Sequence, residues 1–268
     1  MRADLHTHTT YSDGKLRVDD LIDVCLNHHI THLAITDHDS FQGTKEALSK
    51  KRSLEIIVGI ELSTFRLGES VHILGYFKSL NDGLGMQEAL DEQIKNRRKR
   101  AYKVAEQLKK HFDIDLDISF FDSLDSITRG SIAREIKRQG FGYTSKEIFR
   151  DLIGEGCPAY IPSSKMTTQE GIDLIHKNHG IAVIAHPANL KKNNVEDIIL
   201  LGVEGLEGVY PNRHHEEPKF RALAKKHNLI ITGGTDFHAF DDGQHGNIGD
   251  VVLKGEDLMT FLKVLYER

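Results

Sequence analysis

A chain of 268 residues with 35 Lys+Arg, 40 Asp+Glu and a formal net charge of -5 has room for one α/β domain carrying a modest insertion. It does not offer the broad basic surface that duplex nucleic acid requires. The two cysteines, Cys25 and Cys157, are too few for a disulfide framework and fit reduced thiols in a cytoplasmic protein; no apolar stretch reaches signal-peptide or membrane-span length.

In chain order, residues 2–5 predict a first strand and 18–29 an amphipathic helix; 32–36 a second strand and 44–51 a second helix; 56–60 and 71–76 two further strands. Residues 84–165 change character. They hold one long charged helical stretch, 86–111, two shorter ones, 131–139 and 145–153, and few strand signals. After the Cys157-Pro158 and Ile161-Pro162 pairs the alternation resumes: helix 168–179, strand 181–185, helix 195–200, strand 205–209, helix 215–227, strand 229–232 and a final helix over 255–266. Seven strands alternating with helices argue for parallel strands joined by crossovers, and for a barrel. No glycine-rich dinucleotide or Walker loop follows an early strand. Residues 1–83 and 166–268 are therefore read as the barrel, and 84–165 as a helical insertion that caps the substrate.

The sequence holds 16 histidines, several beside carboxylates. His6 and His8 follow the first strand as His-x-His, a spacing that puts both imidazoles on one strand face. Asp13 sits in the turn Ser12-Asp13-Gly14, and His38 in Thr36-Asp37-His38-Asp39 at the end of the second strand. Glu61 ends the third strand and His72 lies early in the next. His186 precedes Pro187 after the strand 181–185, and Asp236 and His238 lie in Gly234-Thr235-Asp236-Phe237-His238 past the last strand. In a parallel barrel the C-terminal strand ends converge on one face, where active sites are built. A lone histidine at a strand end is ordinarily a surface or core residue; five separate ends all carrying His, Asp or Glu are not explained that way. Imidazole and carboxylate without thiolate suit Zn, Mn or Fe(II), with Mg also compatible, and the set exceeds one ion's needs.

These segments, with Asp4-Leu5-His6-Thr7-His8, Gly59-Ile60-Glu61 and Ala185-His186-Pro187, resemble in order the motifs of the PHP (polymerase and histidinol phosphatase) family. The resemblance implies a distorted (β/α)7 barrel with a trinuclear site. One ion would be held by His6, His8, Glu61 and Asp236, a second by Glu61, His72 and His186, and a third by Asp13, His38 and His238. It points to the small phosphoesterases that hydrolyse nucleoside 3′,5′-bisphosphates or act as 5′-to-3′ exoribonucleases. A phosphomonoester of a nucleotide-like metabolite is the leading substrate, with attack by a metal-bound hydroxide formed from a water whose pKa falls toward roughly 7. Short single-stranded RNA or DNA and histidinol phosphate are alternatives. A metal-binding regulatory module is the reading from another class, disfavoured by the full ligand set.

A phosphatase also needs cations that grip phosphate. Thr128-Arg129-Gly130 and Ala133-Arg134 near a predicted helix start, together with Arg97 and Arg100, resemble the substrate arginines of that nucleotide-active subgroup. A Lys/Arg run on a helix such as 95–100 is most often a solvated face, so Arg129 leads. Many relatives carry His where this chain has Ser131. His238 or His214 would serve the leaving oxygen. No Ser or Cys nucleophile with a base is evident, and Cys25 falls in mid-helix.

Overall fold

A computed structural model describes residues 1–123, 127 and 129–267. The chain forms two compact units: Met1–Glu88 with Met166–Arg268, and Ala89–Lys165.

The first unit is built on one eight-stranded sheet: β1 (Arg2–Thr7), β2 (His32–Ile35), β3 (Glu55–Arg66), β4 (Glu69–Phe77), β5 (Ile181–Ile184), β6 (Gly205–Val209), β7 (Ile230–Gly233) and β8 (Leu253–Lys254), in the order β7-β6-β5-β4-β3-β2-β1-β8. Helices α1 (Val18–Asn27), α2 (Gln42–Ser49), α3 (Leu80–Leu84), α7 (Thr168–Lys177), α8 (Val195–Ile199) and α9 (Glu217–His227) lie between the strands, and α10 (Gly255–Tyr266) follows the last. The sheet curls until its ends nearly meet. His8 N–H donates to the Phe237 carbonyl at 2.9 Å, and Thr7 bridges Phe237 in parallel sense. A Cβ on Gly234 would lie 2.5 Å from the backbone nitrogen of His6, so only glycine lets the chain leaving β7 come this close to β1.

Two features depart from an all-parallel seven-stranded barrel. β3 and β4 form a long antiparallel hairpin from Val58–Phe77 pairing out to Arg66–Glu69, β4 also runs antiparallel to β5, and the short β8 pairs antiparallel with β1. The connection from β3 to β4 holds only Leu67 and Gly68, and a link that short forces a hairpin, since a parallel crossover needs a dozen residues or more. Strand alternation sorts the side chains. In β1, Ala3 and Leu5 are wholly buried, and Leu33 and Ile35 of β2 join Val18, Leu21, Ile22 and Cys25 of α1 in a helix-facing core. The opposite β1 face carries Asp4 and His6. α7 is fixed at its start by a capping box, Thr167 with Glu170. No described helix is long and apolar enough to cross a membrane.

The second unit contains most of α4 (Gln87–Phe112), then α5 (Arg129–Arg138) and α6 (Ser145–Glu147), the last continued by a π-turn over Ile148–Leu152. It has its own core, in which Val104, Leu108, Phe121, Ile132, Ile136, Ile148 and Leu152 pack together.

Candidate metal centre

The first ligand candidates come from β1, whose inward face continues through His6 to His8, both wholly buried. His38 follows β2 and bridges to Glu61 of β3. Glu61 does not end its strand, because β3 runs on to Arg66. His72 lies opposite Ser63 in β4. Because β4 runs antiparallel, the early part of this strand reaches the same end of the barrel as the late parts of its parallel neighbours. His186 and Asp236 follow β5 and β7 with φ of 28° and 52°. Left-handed backbone at two non-glycine residues is costly and is retained where the surroundings over-determine it.

All nine candidates converge. Nε2 of His6 and of His8 each lie 3.2 Å from Oδ1 of Asp236, and 3.5 Å and 3.3 Å from Oε2 of Glu61. The other Glu61 oxygen, Oε1, meets Nδ1 of His72 and Nε2 of His186, each at 2.9 Å. Nδ1 of His38 is 3.0 Å from Glu61 Oε2. Asp13 closes the third side, with Oδ1 3.1 Å from Nε2 of His238 and Oδ2 3.8 Å from Nε2 of His38. His6, His8, Glu61 and Asp236 form one set of donors able to surround an ion, and His8, Asp13, His38 and His238 form another. A third joins Glu61 and His72 with His38.

The chemistry of these atoms tests whether metal ions fit. Nε2 of His6, Nε2 of His8, Nδ1 of His38, Oε2 of Glu61 and Oδ1 of Asp236 are buried and make no hydrogen bond among the described residues. Leaving a buried polar group unsatisfied costs about 1–3 kcal/mol, and these five atoms face one another. Divalent cations among them would satisfy all five, so the residues fit the metals that the donor types suggest.

The metal-free electrostatics agree. Burial alone would raise Glu61 and Asp236. The neighbouring histidines, His38, His72 and His6 for Glu61 and His6, His8 and His186 for Asp236, instead hold both carboxyls well below the usual range. Burial likewise opposes charge on His8, yet Asp236 and Glu61 take it up to about 10; His6 and His186 are raised for the same reason. Asp13, about half exposed, is also lowered: the partial desolvation that would raise it is outweighed by the His238 hydrogen bond and by His38 and His8.

A second layer holds the donors, and the sequence motifs did not assign it. Glu207 of β6, 1% exposed, accepts from Nδ1 of His6 at 3.0 Å and from the backbone N–H of His186 at 2.7 Å. The first bond keeps the proton on Nδ1 and leaves Nε2 free to bind. Asp4 accepts from the Thr235 hydroxyl at 2.6 Å and the Thr235 N–H at 3.0 Å. Asp37 accepts from Thr9 N–H, the Thr9 hydroxyl and the Ser12 hydroxyl, each at 2.7 Å. Tyr210 donates to Oδ2 of Asp236 at 2.8 Å. The signal for Glu207 was present in the sequence, as an acid inside the otherwise apolar run Gly205-Leu206-Glu207-Gly208-Val209.

The remaining expected residues are His214 and the arginines. His214 starts a short 3-10 turn, His214–Glu216, and is exposed; among the described residues no hydrogen bond, ion pair or ring contact ties it to the cluster. The imidazole that does stack on His238 is His245, with ring centroids 4.0 Å apart. In the second unit Arg97 is buried, and Arg100 donates from Nε to the Ile161 and Pro162 carbonyls at 2.9 Å. Burial, then the charges of Arg129 and Arg97, hold Arg100 below its ordinary pKa, so these three guanidinia share one neighbourhood. Arg129 is the first residue of α5, with its guanidinium 5.7 Å from the Tyr160 ring centre. Arg134 is exposed on α5, and Thr128 lies outside the described residues.

Comparison with known proteins gives this geometry a context. The PHP domain family matches residues 4–112. The 5′-3′ exoribonuclease Rnm of Escherichia coli is 31% identical over 249 residues, covering 88% of this chain and 84% of that protein. The 3′,5′-nucleoside bisphosphate phosphatase of Chromobacterium violaceum is 28% identical over 257 residues, covering 90% and 88%. Among solved structures, an amidohydrolase from Chromobacterium violaceum superposes with a TM-score of 0.76 at 24% identity, over 99% of this chain and 97% of the other. A protein from Bifidobacterium adolescentis does so with a TM-score of 0.75 at 24% identity, over 98% and 96%; at that identity both speak to the fold alone. The chain therefore belongs to the PHP family and is a hydrolase of phosphoric esters.

Proposed function

We propose that this protein is a metal-dependent phosphomonoesterase acting on a small nucleotide-like metabolite, with a nucleoside 3′,5′-bisphosphate as the leading substrate. The observation that carries the reading is the convergence of His6, His8, Asp13, His38, Glu61, His72, His186, Asp236 and His238 on one another, with five buried donor atoms left for cations to satisfy. Two to three divalent ions, of Mn, Zn, Fe(II) or Mg, would occupy it. When bound, such ions supply an activated water and polarise the phosphoryl group.

The protein's own contribution is placement. Glu61 offers Oε2 to the His6, His8 and His38 side and Oε1 to the His72 and His186 side, so it is the ligand two positions share. Glu207 fixes the tautomer of His6 and the backbone of His186 at once. His238 sits against the Asp236 carbonyl through Nδ1 at 2.7 Å, which turns Nε2 toward Asp13. With Nδ1 against a carbonyl and Nε2 directed at a carboxylate, we read His238 as a ligand in preference to the acid. The Arg129, Arg97 and Arg100 guanidinia would bind phosphate oxygens, Arg129 first, because a cluster of like charges is relieved by an anion.

A second reading is 5′-to-3′ cleavage of short single-stranded RNA, favoured by the 31% identity with the Escherichia coli exoribonuclease. One panel separates the two: nucleoside 3′,5′-bisphosphates and 5′-phosphorylated oligonucleotides, each with Mn, Zn and Mg. Preference for the bisphosphates is expected; nucleotide release only from oligonucleotides would replace the first reading with the second. His186→Ala and Asp13→Ala should lose nearly all turnover, and undiminished activity in either would sink the metal mechanism.

A further inference from the structure

The loop from β7 to β8 carries a histidine that neither the motifs nor the family's ligand positions include. Nδ1 of His245 lies 2.6 Å from Oδ2 of Asp242, whose other oxygen accepts the backbone N–H groups of Gln244 and His245 at 2.8 Å each. Asp241 and Asn247 cross-brace the same loop by two hydrogen bonds, 3.0 Å and 2.9 Å, and Gly246 N–H is tied to the Thr235 carbonyl at 2.9 Å. The ring so held lies nearly parallel to His238, at 4.0 Å and 22°. On its far side His238 stacks on His8 at 4.1 Å and 25°. The three imidazoles thus form one stack with His238 in the middle.

We propose that His245 is a positioning residue for the metal centre: its ring face clamps His238 against His8 and so fixes the direction in which His238 presents Nε2 to Asp13. Nε2 of His245 lies 3.9 Å from Oδ2 of Asp236, so Asp236, His238 and His245 could themselves surround an ion; a ring that acts through its face and a ring that acts through Nε2 are told apart by removing the nitrogens alone. Without the outer ring, His238 keeps its contacts to the Asp236 carbonyl and to Asp13 but gains freedom to rock about them. Freezing that freedom on binding would then weaken the ion shared by Asp13, His38 and His238. The proposal rests on the reading of His238 as a ligand.

The test uses chelator-stripped full-length protein titrated with Mn(II), with free ion followed by electron paramagnetic resonance. Wild type, His245→Ala and His245→Phe are compared. Wild type should bind two to three ions. His245→Ala should keep that number while its weakest ion binds about 2- to 10-fold less tightly, the range of one aromatic pair contact. His245→Phe, which keeps a ring face but no nitrogen, should recover most of the loss. Unchanged affinity in His245→Ala would overturn the proposal. So would a His245→Phe as weak as the alanine variant, since the nitrogen and not the face would then matter. A wild type that binds no ion would instead overturn the metal reading itself, and the proposal with it.

Discussion

Replacing Glu207 by glutamine changes one atom and sets two donors in conflict. Oε1 accepts from His6 Nδ1 and Oε2 from the His186 N–H, at 3.0 Å and 2.7 Å, in a site 1% exposed. Glutamine offers one oxygen and one NH2, so whichever way the amide turns, a donor faces a donor. The His186 N–H cannot move, because its residue is already held at φ 28°; the oxygen therefore stays there and the NH2 turns on His6. His6 answers by moving its proton to Nε2, the atom directed at Asp236 and Glu61. Loss of an outer partner of this kind lowers metal affinity about 10- to 100-fold, or about 1.4–2.7 kcal/mol. Competition with a chromophoric chelator measures it directly. Metal affinity within about twofold of wild type would refute the orienting role of Glu207, as the expected loss is at least about tenfold.

Four further outcomes follow from the same geometry. Gly14→Ala would place a Cβ 2.4 Å from the His8 carbonyl oxygen; backbone must shift, at about 1–3 kcal/mol, and Asp13 shifts with it, which urea denaturation and metal titration should register together. Asp37→Ala strands the Thr9 N–H and two hydroxyls in a buried site and should cost about 2–4 kcal/mol; a change under about 0.5 kcal/mol would contradict this. For metal-free protein, the stabilisation from His8 is complete below its ordinary 6.5 and is lost as pH climbs through about 10, whereas that from Glu61 and Asp236 is complete above their ordinary 4.5 and 3.8 and is lost as pH falls. Its thermal stability should therefore peak between about 4.5 and 6.5. Metal binding near pH 7 should expel protons, seen as a buffer-dependent heat in titration calorimetry; a heat independent of the buffer would refute protonated imidazoles in the empty cluster.

Much of this was legible in the sequence, for physical reasons that differ by element. Strands β1, β2, β5, β6 and β7 announce themselves as short apolar runs, and the ends of all but β6 as His and Asp. His72 looked misplaced early in its strand, because residue patterns carry no sign of strand direction; once β4 runs antiparallel, early is the correct end. The two-residue link Leu67–Gly68 was the available clue. β8, two residues long, has no periodicity to read. The second layer escaped for another reason. Apart from the His6 N–H on Asp4, the partners that donate to the carboxylates of Asp4, Asp37 and Glu207 lie 21 to 231 positions away, and such partners become visible only when the barrel closes.

That separation also sets an order of events in the cell. Glu207 meets His6 across 201 positions and Asp4 meets Thr235 across 231, so the histidines made first by the ribosome wait for nearly the last strand before their partners exist. Until then, their carboxylate and imidazole groups stay hydrated and cannot be sealed inside a barrel wall. Ion capture at Glu61 would therefore be a late step, and an ion that binds only the closed barrel would help draw the final strand into place. Growth medium starved of divalent metal should then lower the yield of folded protein as well as its activity, as a cellular stability assay on freshly made chains would reveal.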